Sequence, residues 1–386
     1  MRHYFIQTVV FFLLLSANVC GQIKHNLIPY RQDSLWGYAD TTGRIIIAPQ
    51  YDAAQLFYSK LAAVQQNGKM GYIDSLGNIA VPLKYDRAGN FKDGFAVVES
   101  GRKWGFINKR GEEVVPLKYE GLSEFYEDIA ITSVNNKWGY VNKLGEEIVP
   151  PVYDAASKFS NGFAAVMKDY KWCFINTSGK EMLKPTFEKV HDYNEGLAAV
   201  MVNGLWGFVD VGGKTAIPFK YETVSDFKDD LAAVRLDGKV GFINKKGAKV
   251  ISFKYDGANV FSEGFSVVQS GNLVGFIDKK GKSLTGMNYE SAYDFSEGMA
   301  IVYAKSYSII DTKGEPAPLL CDRIRNFKEG LASVEKNGLW GFINKQGDVV
   351  IPVKYENADD FSEGVAVVSY QGKWGYVDKK GREFFK

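Results

Sequence analysis

The chain repeats one short pattern eleven times, at a spacing of 33 or 34 residues. Each copy begins with an aromatic or apolar residue, and the second position is usually glycine. Two apolar residues, an Asn or Asp, two variable residues and a final glycine follow in that order. The copies begin at Trp36, Met70, Trp104, Trp138, Trp172, Trp206, Val240, Val274, Tyr307, Trp340 and Trp374. A fixed period of this length indicates a repeat architecture, in which each unit packs against its neighbours.

One copy shows the local structure that the pattern predicts. Residues 197–200 form a short apolar run, Asn203-Gly204 supplies a turn, and residues 206–209 form a second run. The Asn/Asp-x-x-Gly segment that follows is suited to a type I turn, because Asn or Asp bonds the backbone two residues on and glycine accepts positive φ. A third run ends at Pro218. The spacing therefore predicts a three-stranded antiparallel meander followed by an irregular connector.

We expect an all-β chain in which about ten to eleven of these meanders, over residues 22–386, stack as an elongated twisted superhelix. The 40 glycines among many Val, Ile, Phe and Tyr residues support strands joined by tight turns. A toroidal β-propeller is the alternative, because propeller blades are also short antiparallel sheets. Propellers usually have roughly four to eight four-stranded blades of about 40 residues or more, which fits this spacing less well.

All seven tryptophans occupy the first position of the pattern, and a glycine usually follows them inside the strand. Glycine weakens a strand, so its presence there indicates that a bulky group packs closely against the backbone. We predict that this group is the indole, which packs over bare backbone in the core between units. The rival interpretation is a ladder of exposed tryptophans that stack on sugar rings. The residues assigned to the repeat core are Trp36, Trp104, Trp138, Trp172, Trp206, Trp340, Trp374, Gly37, Gly105, Gly139, Gly207, Gly341 and Gly375.

Charged residues recur at two kinds of position. A carboxylate follows the Tyr or Phe near the end of each unit, as at Asp86 and Glu222, and we expect it to cap backbone amides in the connector. A calcium ladder would need about six to eight oxygen ligands per ion, which one carboxylate per unit does not supply. Lysines occupy hairpin tips, as in Lys245-Lys246, where they favour solubility and block edge pairing. Segregated basic and acidic stripes that steer a partner are the alternative.

The pattern loosens between about residues 240 and 325. Val240, Val274 and Tyr307 take the Trp position, and Cys321 takes a Tyr position. Sequence drift is the simpler explanation, and a specialised surface at these four residues is the alternative.

The chain carries no motif for catalysis, for a cofactor or for a metal ion. His, Cys and acidic residues do not cluster at metal-ligand spacing, and neither a phosphate-binding loop nor a nucleophile elbow is present. We therefore expect no enzymatic activity, no cofactor and no metal site. The formal net charge of +2 is nearly balanced, which argues against nucleic acid as a partner.

The N-terminal segment differs from the repeats. A basic start precedes an apolar stretch that ends at Ala17 and whose core is too short to span a bilayer but suits a secretory signal. We predict a signal peptide over residues 1–21, export to the periplasm, outer surface or extracellular space, and no integral membrane segment after cleavage. Cys20 could carry a lipid, but the two residues before it fit a lipoprotein signal poorly.

The complete unit joins Trp-Gly-aromatic-Ile/Val-Asn/Asp-x-x-Gly to Pro-x-x-Tyr-Asp/Glu and to Phe-x-Glu-Gly-Leu-Ala-x-Val. Lys137-Trp138-Gly139-Tyr140 and Lys373-Trp374-Gly375-Tyr376 are typical copies of its centre. This unit resembles the bacterial WG-repeat family, also called KWG repeats. The resemblance implies a repeat module of exported or cell-envelope proteins without an established activity. We therefore expect a non-enzymatic scaffold that presents an extended surface to a protein partner; a carbohydrate-binding protein that uses exposed aromatic residues is the second hypothesis.

Overall fold

The computed structural model describes residues 27–40, 42–182, 184 and 186–385. The predicted signal peptide at residues 1–21 and Cys20 lie outside the described residues. The described part consists of strands, turns and irregular connections, and it contains no helix that could cross a membrane. Its strands form eleven consecutive antiparallel sheets of three or four strands each. The prediction of an all-β repeat fold is confirmed.

We number the sheets as blades 1 to 11 in chain order. Blades 1 to 4 contain β1 (Ile28–Gln32), β2 (Leu35–Ala39), β3 (Ile45–Tyr51); β4 (Ala53–Ala54), β5 (Ala62–Gln66), β6 (Lys69–Ile73), β7 (Ile79–Tyr85); β8 (Arg87–Ala88), β9 (Phe95–Ser100), β10 (Lys103–Asn108), β11 (Glu113–Tyr119); β12 (Gly121–Leu122), β13 (Ile129–Val134), β14 (Lys137–Asn142), β15 (Glu147–Tyr153).

Blades 5 to 8 contain β16 (Ala155–Ala156), β17 (Phe163–Lys168), β18 (Lys171–Asn176); β19 (Lys189–Val190), β20 (Leu197–Val202), β21 (Leu205–Asp210), β22 (Thr215–Tyr221); β23 (Thr223–Val224), β24 (Leu231–Leu236), β25 (Lys239–Asn244), β26 (Lys249–Tyr255); β27 (Gly257–Ala258), β28 (Phe265–Ser270), β29 (Leu273–Asp278). Blades 9 to 11 contain β30 (Ser291–Ala292), β31 (Met299–Ala304), β32 (Ser306–Asp311), β33 (Pro316–Pro318); β34 (Arg323–Ile324), β35 (Ala332–Lys336), β36 (Leu339–Ile343), β37 (Val349–Tyr355); β38 (Asn357–Ala358), β39 (Val365–Tyr370), β40 (Lys373–Asp378), β41 (Glu383–Phe384).

A typical blade is the predicted three-stranded meander with one additional strand. In blade 6 the two-residue strand β19, which the sequence analysis assigned to the connector, pairs with β20. The predicted Asn/Asp-x-x-Gly turn is confirmed. Asp210 Oδ1 accepts hydrogen bonds from the backbone N–H groups of Gly212 (3.0 Å) and Lys214 (2.9 Å), and Gly213 has a φ of 78°. This turn fixes the register of each hairpin.

The blades close into a ring, so the fold is an eleven-bladed β-propeller, the alternative in the sequence analysis. Strand β1 of blade 1 lies against β40 of blade 11. Burial, together with the neighbouring Tyr376 of blade 11, raises the pKa of Tyr38 in blade 1. At seven of the ten junctions between the described blades, a single residue, such as Asp86, separates the last strand of one blade from the first strand of the next. The elongated superhelix is not confirmed.

The glycine after the Trp position is required by the third strand of its own blade. In blade 6 the register shifts after Trp206, which pairs with Tyr221, so that Phe208 pairs with Ile217. This bulge brings the backbone so close that a Cβ on Gly207 would lie 2.6 Å from the Ile217 carbonyl oxygen. The predicted indole over bare backbone is therefore wrong as the reason for this glycine. Third-strand backbone also approaches the equivalent glycines, which are Gly37, Gly105, Gly139, Gly341 and Gly375.

Neighbouring blades meet through buried aromatic pairs. Phe208 of blade 6 packs edge-on against Phe227 of blade 7, with ring centroids 4.9 Å apart, and both rings are buried. Such pairs contribute about 0.5–1.5 kcal/mol beyond the area they bury. The equivalent pairs are Tyr38–Phe57, Tyr72–Phe91, Phe106–Phe125, Tyr140–Phe159, Phe174–Tyr193, Phe242–Phe261, Phe276–Phe295 and Phe342–Phe361. At the seam of blades 9 and 10, Ile309 replaces the first ring and packs in one cluster with Phe327.

A glutamate in the turn before the second strand binds the same turn of the next blade. Glu195 of blade 6 accepts hydrogen bonds from the backbone N–H groups of Asp229 (2.8 Å) and Asp230 (3.0 Å) in blade 7. Both residues have positive φ, so consecutive N–H groups form an anion-binding concavity. Lys245 at a hairpin tip of blade 7 adds an ion pair at 2.9 Å. We call this arrangement the clasp; Glu127, Glu263, Glu297 and Glu329 bind the next turn in the same way.

The clasp corrects the alternative of segregated charge stripes. Basic tip residues such as Lys245 lie at the same end of the blades as the clasp carboxylates and pair with them. Only glutamate makes the full clasp in the described part of the chain. Asp229 at the equivalent position is one methylene shorter and instead pairs with Lys279 of blade 8 at 3.2 Å.

The second recurring carboxylate lies at the opposite end of the strands. Asp86 accepts a hydrogen bond from the backbone N–H of Gly101 at 2.7 Å, which confirms a capping role but places the cap on a hairpin tip instead of the connector. Lys69 of the preceding blade pairs with the same carboxylate at 2.5 Å. This lysine precedes the Trp position, and the same pairing joins Lys103 to Glu120, Lys137 to Asp154 and Lys239 to Asp256.

Replacing Glu195 with Gln should lower the free energy of unfolding by about 1–2 kcal/mol, because two backbone N–H groups and Lys245 lose a charged acceptor. The matched control is Glu113→Gln, at an exposed carboxylate that has no hydrogen bond or ion pair to another described residue. Urea denaturation followed by tryptophan fluorescence measures both variants. Equal unfolding midpoints for the two would contradict a stabilising clasp.

Candidate interaction surface

The structure places the seven indoles in different environments. Trp206 and Trp340 are buried, and Trp36, Trp104 and Trp172 are half-buried. Trp138 is 38% exposed and Trp374 is 50% exposed. The buried indoles lie beneath other side chains: the His191 ring is 4.8 Å from Trp206, and the Arg325 guanidinium is 4.4 Å from Trp340. The two exposed indoles belong to blades 4 and 11, so the tryptophans form no continuous exposed ladder around the described ring.

The four divergent residues do not share one surface. Val240 is buried in the core between blades 7 and 8, and Val274 packs in the core between blades 8 and 9. Tyr307 and Cys321 pack in one cluster between blades 9 and 10. Burial raises the pKa of the Cys321 thiol to about 11. These positions are therefore variations of the core, and the specialised surface suggested for them is not supported.

Cys173 takes the place of the strand glycine in blade 5 and is fully buried with a free thiol. Burial raises its pKa to about 12, so the reactive thiolate is scarce at neutral pH. Within the part of the chain that the structure describes, His, Cys, Asp and Glu form no group of three or more that could hold a metal ion.

Two cavities lie at seams between blades. The larger, of about 300 Å³, lies where blade 11 meets blades 1 and 2, and its lining includes Leu27, Phe57, Val365 and Asp378. The smaller, of about 40 Å³, lies between blades 3 and 4 beside Phe106. Neither cavity contains a residue that the sequence analysis selected as a candidate site.

Among the residues that the structure describes, the most exposed aromatic side chain is Tyr170, which the sequence analysis did not select. It is 88% exposed at the hairpin tip between β17 and β18 of blade 5, next to Asp169. Both residues have positive φ, 52° for Asp169 and 62° for Tyr170. Hairpin turns of this type favour glycine at the second position, and a non-glycine residue in this conformation costs about 1–2 kcal/mol. Five other tips have glycine at this position: Gly68, Gly204, Gly238, Gly338 and Gly372.

Two lysines flank Tyr170 in the same hairpin. Lys168 and Lys171 are directly opposite each other in the register between β17 and β18, and both are exposed. Like charges at opposite positions destabilise an antiparallel pair. Among the described residues, neither ammonium group has a carboxylate within ion-pair distance. The tip therefore combines backbone strain with two facing lysines that form no ion pair with a described residue, although the carboxylates of Asp154 and Asp169 lie nearby.

A carboxylate joins this tip to blade 4. Asp154 accepts a hydrogen bond from the Asp169 backbone N–H at 2.9 Å and forms an ion pair with Lys137. The Lys137 ammonium and the Asp169 amide together hold the pKa of Asp154 below its usual value. Since Trp138 follows Lys137, its exposed indole lies on the blade adjacent to Tyr170, at the same end of the strands. We call Trp138, Lys168, Tyr170 and Lys171 the aromatic–lysine patch.

Exchanging Tyr170 for glycine should raise the free energy of unfolding by about 1 kcal/mol, because glycine adopts positive φ without strain. Arg102→Gly is the matched control. Arg102 occupies the same turn position in blade 3 with a φ of 61°, so its replacement should stabilise the fold to a similar extent. Urea denaturation tests both variants, and a loss of stability in Tyr170→Gly would show that the tyrosine supports the fold.

Ten matches to the WG containing repeat family cover residues 36–69, 70–104, 104–138, 138–172, 174–206, 206–239, 241–273, 275–303, 307–340 and 340–374. Comparison with curated proteins gave no significant match.

Several solved structures are similar in part. A eukaryotic initiation factor shares 13% identity over 76% of this chain and 95% of its own, with a TM-score of 0.43. Hsv2p of Kluyveromyces lactis shares 11% identity over 57% of this chain and 90% of its own, with a TM-score of 0.33. PorZ, a surface component of the type-IX secretion system of Porphyromonas gingivalis, shares 9% identity over 92% of this chain and 63% of its own, with a TM-score of 0.25. At these scores the similarities carry no information about function.

The repeat matches, in contrast, extend over nearly the whole ring, from the Trp36 position in blade 1 to the Trp374 position in blade 11. Because they cover well over half of the sequence, the chain belongs to the WG containing repeat family.

Proposed function

We propose that this protein is an exported, non-enzymatic scaffold that binds a protein partner at the bacterial cell envelope, through a surface that includes the aromatic–lysine patch. The observation that carries the proposal is the exposure of Tyr170 at a turn position where five other blades have glycine. Neither the packing of the core nor the geometry of the turn requires this side chain. Tyrosine and tryptophan at the centre of an interface contribute much of the binding energy between proteins.

The organisation of the ring supports a binding role. The clasps and the aromatic pairs join successive blades, so exposed side chains are held on a scaffold of strands. Rigid elements position binding residues more accurately than mobile loops do. The proposed export to the envelope rests on the predicted signal peptide at residues 1–21.

Carbohydrate binding is the second candidate, because Trp138 and Trp374 expose their indoles. A row of sugar rings would need stacking partners on successive blades. The indoles of the intervening blades are buried or half-buried, and His191 and Arg325 contact two of them. The arrangement therefore favours a protein partner over an extended polysaccharide.

A photocrosslinking amino acid tests the proposal directly. The benzophenone analogue of phenylalanine would replace Tyr170, and Arg102 as the matched control, before irradiation with an envelope extract of the native bacterium. We expect an adduct at position 170 that is absent at position 102 and that disappears when the extract is first treated with protease. An adduct that resists protease but is removed by glycosidases would support the carbohydrate alternative, and equal adducts at both positions would contradict a specific patch.

A further inference from the structure

The blade 5 tip has two destabilising features that do not occur together at the other described tips. Tyr170 adopts positive φ, and Lys168 lies opposite Lys171. At the corresponding positions of blades 2, 3, 4 and 7, a neutral residue lies opposite the lysine; these pairs are Gln66–Lys69, Ser100–Lys103, Val134–Lys137 and Leu236–Lys239. Each of those four lysines also forms an ion pair with a carboxylate of the next junction.

Lys171 differs because both oxygens of its expected carboxylate accept backbone hydrogen bonds, whereas Asp86 keeps one oxygen for Lys69. The residue equivalent to Asp86 in the junction after blade 5 is Glu188. Glu188 accepts hydrogen bonds from the backbone N–H groups of Asn203 (2.9 Å) and Gly204 (3.0 Å) in the tip of blade 6. Lys171 has no ion pair with it, and Lys168 has none with Asp154. Neither ammonium group is held in an ion pair with a described residue, although Lys168 acts at longer range on Asp154, so both can contact an external anion beside the exposed Tyr170 ring.

We infer that the blade 5 tip docks an acidic segment of the partner protein, whose carboxylates lie between Lys168 and Lys171 while an apolar side chain packs on Tyr170. This inference rests on the proposed function, which supplies the class of partner. An anion between the two lysines would reduce the repulsion between them, so binding would favour this facing pair. Sites that break local rules of stability are often functional, and two such rules are broken here.

A protein segment fits the patch better than an anionic polysaccharide does. Tyr170 projects from the tip as a single ring, with the Trp138 indole on the adjacent blade. A folded partner can surround a projecting ring and exclude water from it, which is how aromatic anchors contribute at protein interfaces. The lysines would then provide charge complementarity at the rim and increase the association rate.

Binding of defined polymers to the full ring tests the inference. The probes are a random copolymer of glutamate and tyrosine, poly-L-glutamate, and polygalacturonate as the anionic polysaccharide. The variants are Lys168→Gln/Lys171→Gln and the matched control Lys69→Gln/Lys103→Gln, which removes the same charge from blades 2 and 3. In low salt we expect the copolymer to bind more tightly than poly-L-glutamate. The Lys168/Lys171 variant should bind it about tenfold more weakly, and the control should change affinity by less than about twofold.

The melting temperature of the Lys168/Lys171 variant should not fall, since a repulsive pair is removed. Equal losses of affinity in both double variants would overturn the inference, and so would tighter binding of polygalacturonate than of the copolymer.

Photocrosslinking from position 170 distinguishes a failure of the acidic-segment inference from a failure of the proposed function. If protein adducts persist in the Lys168/Lys171 variant at full yield, the acidic-segment inference fails while the scaffold function stands. If no protein adduct forms in the native ring, the proposed function itself fails.

Discussion

The ring depends on the packing of an aromatic side chain from one blade against an aromatic side chain from the connector of the next, as between Phe208 and Phe227. The hydrophobic cluster around this pair draws residues from both blades, from Leu197 in blade 6 to Ile243 in blade 7. A single blade cannot bury its apolar face alone, because half of each cluster belongs to its neighbour. Stability is therefore a property of adjoining blades, as in other repeat proteins.

Polar contacts at the two ends of the strands reinforce each seam. At one end a glutamate such as Glu195 binds consecutive backbone N–H groups of the next blade. At the other end a junction carboxylate such as Asp86 caps a hairpin tip and pairs with a lysine of the preceding blade. These contacts use many of the recurring charges, and Lys168 and Lys171 at the blade 5 tip differ from the pattern because they lie opposite each other and form no ion pair with a described residue.

Sequence reasoning was accurate where structure is local. The meander and the Asn/Asp-x-x-Gly turn follow from spacings of a few residues, and both are confirmed. The junction carboxylate caps backbone amides as expected, but Asp86 binds the hairpin tip at Gly101 instead of the connector, and this longer-range contact could not be read from the local sequence. Ring closure could not be predicted, because it depends on the orientation of each blade relative to the next, which residue types do not specify. The reason for Gly207 was also missed, since its close neighbour, the Ile217 carbonyl, approaches only through a bulge. Tyr170 could have been found by aligning the hairpin tips, where it replaces glycine.

Small-angle X-ray scattering of residues 22–386 in solution tests the closed ring most directly. An open stack of eleven units, with three strands each at roughly 4.8 Å, would extend to about 160 Å. The ring predicts a maximum dimension well below that length and a distance distribution typical of a flat disc. An elongated profile with a maximum dimension close to that of the open stack would contradict the account, because blade 1 could then not contact blade 11.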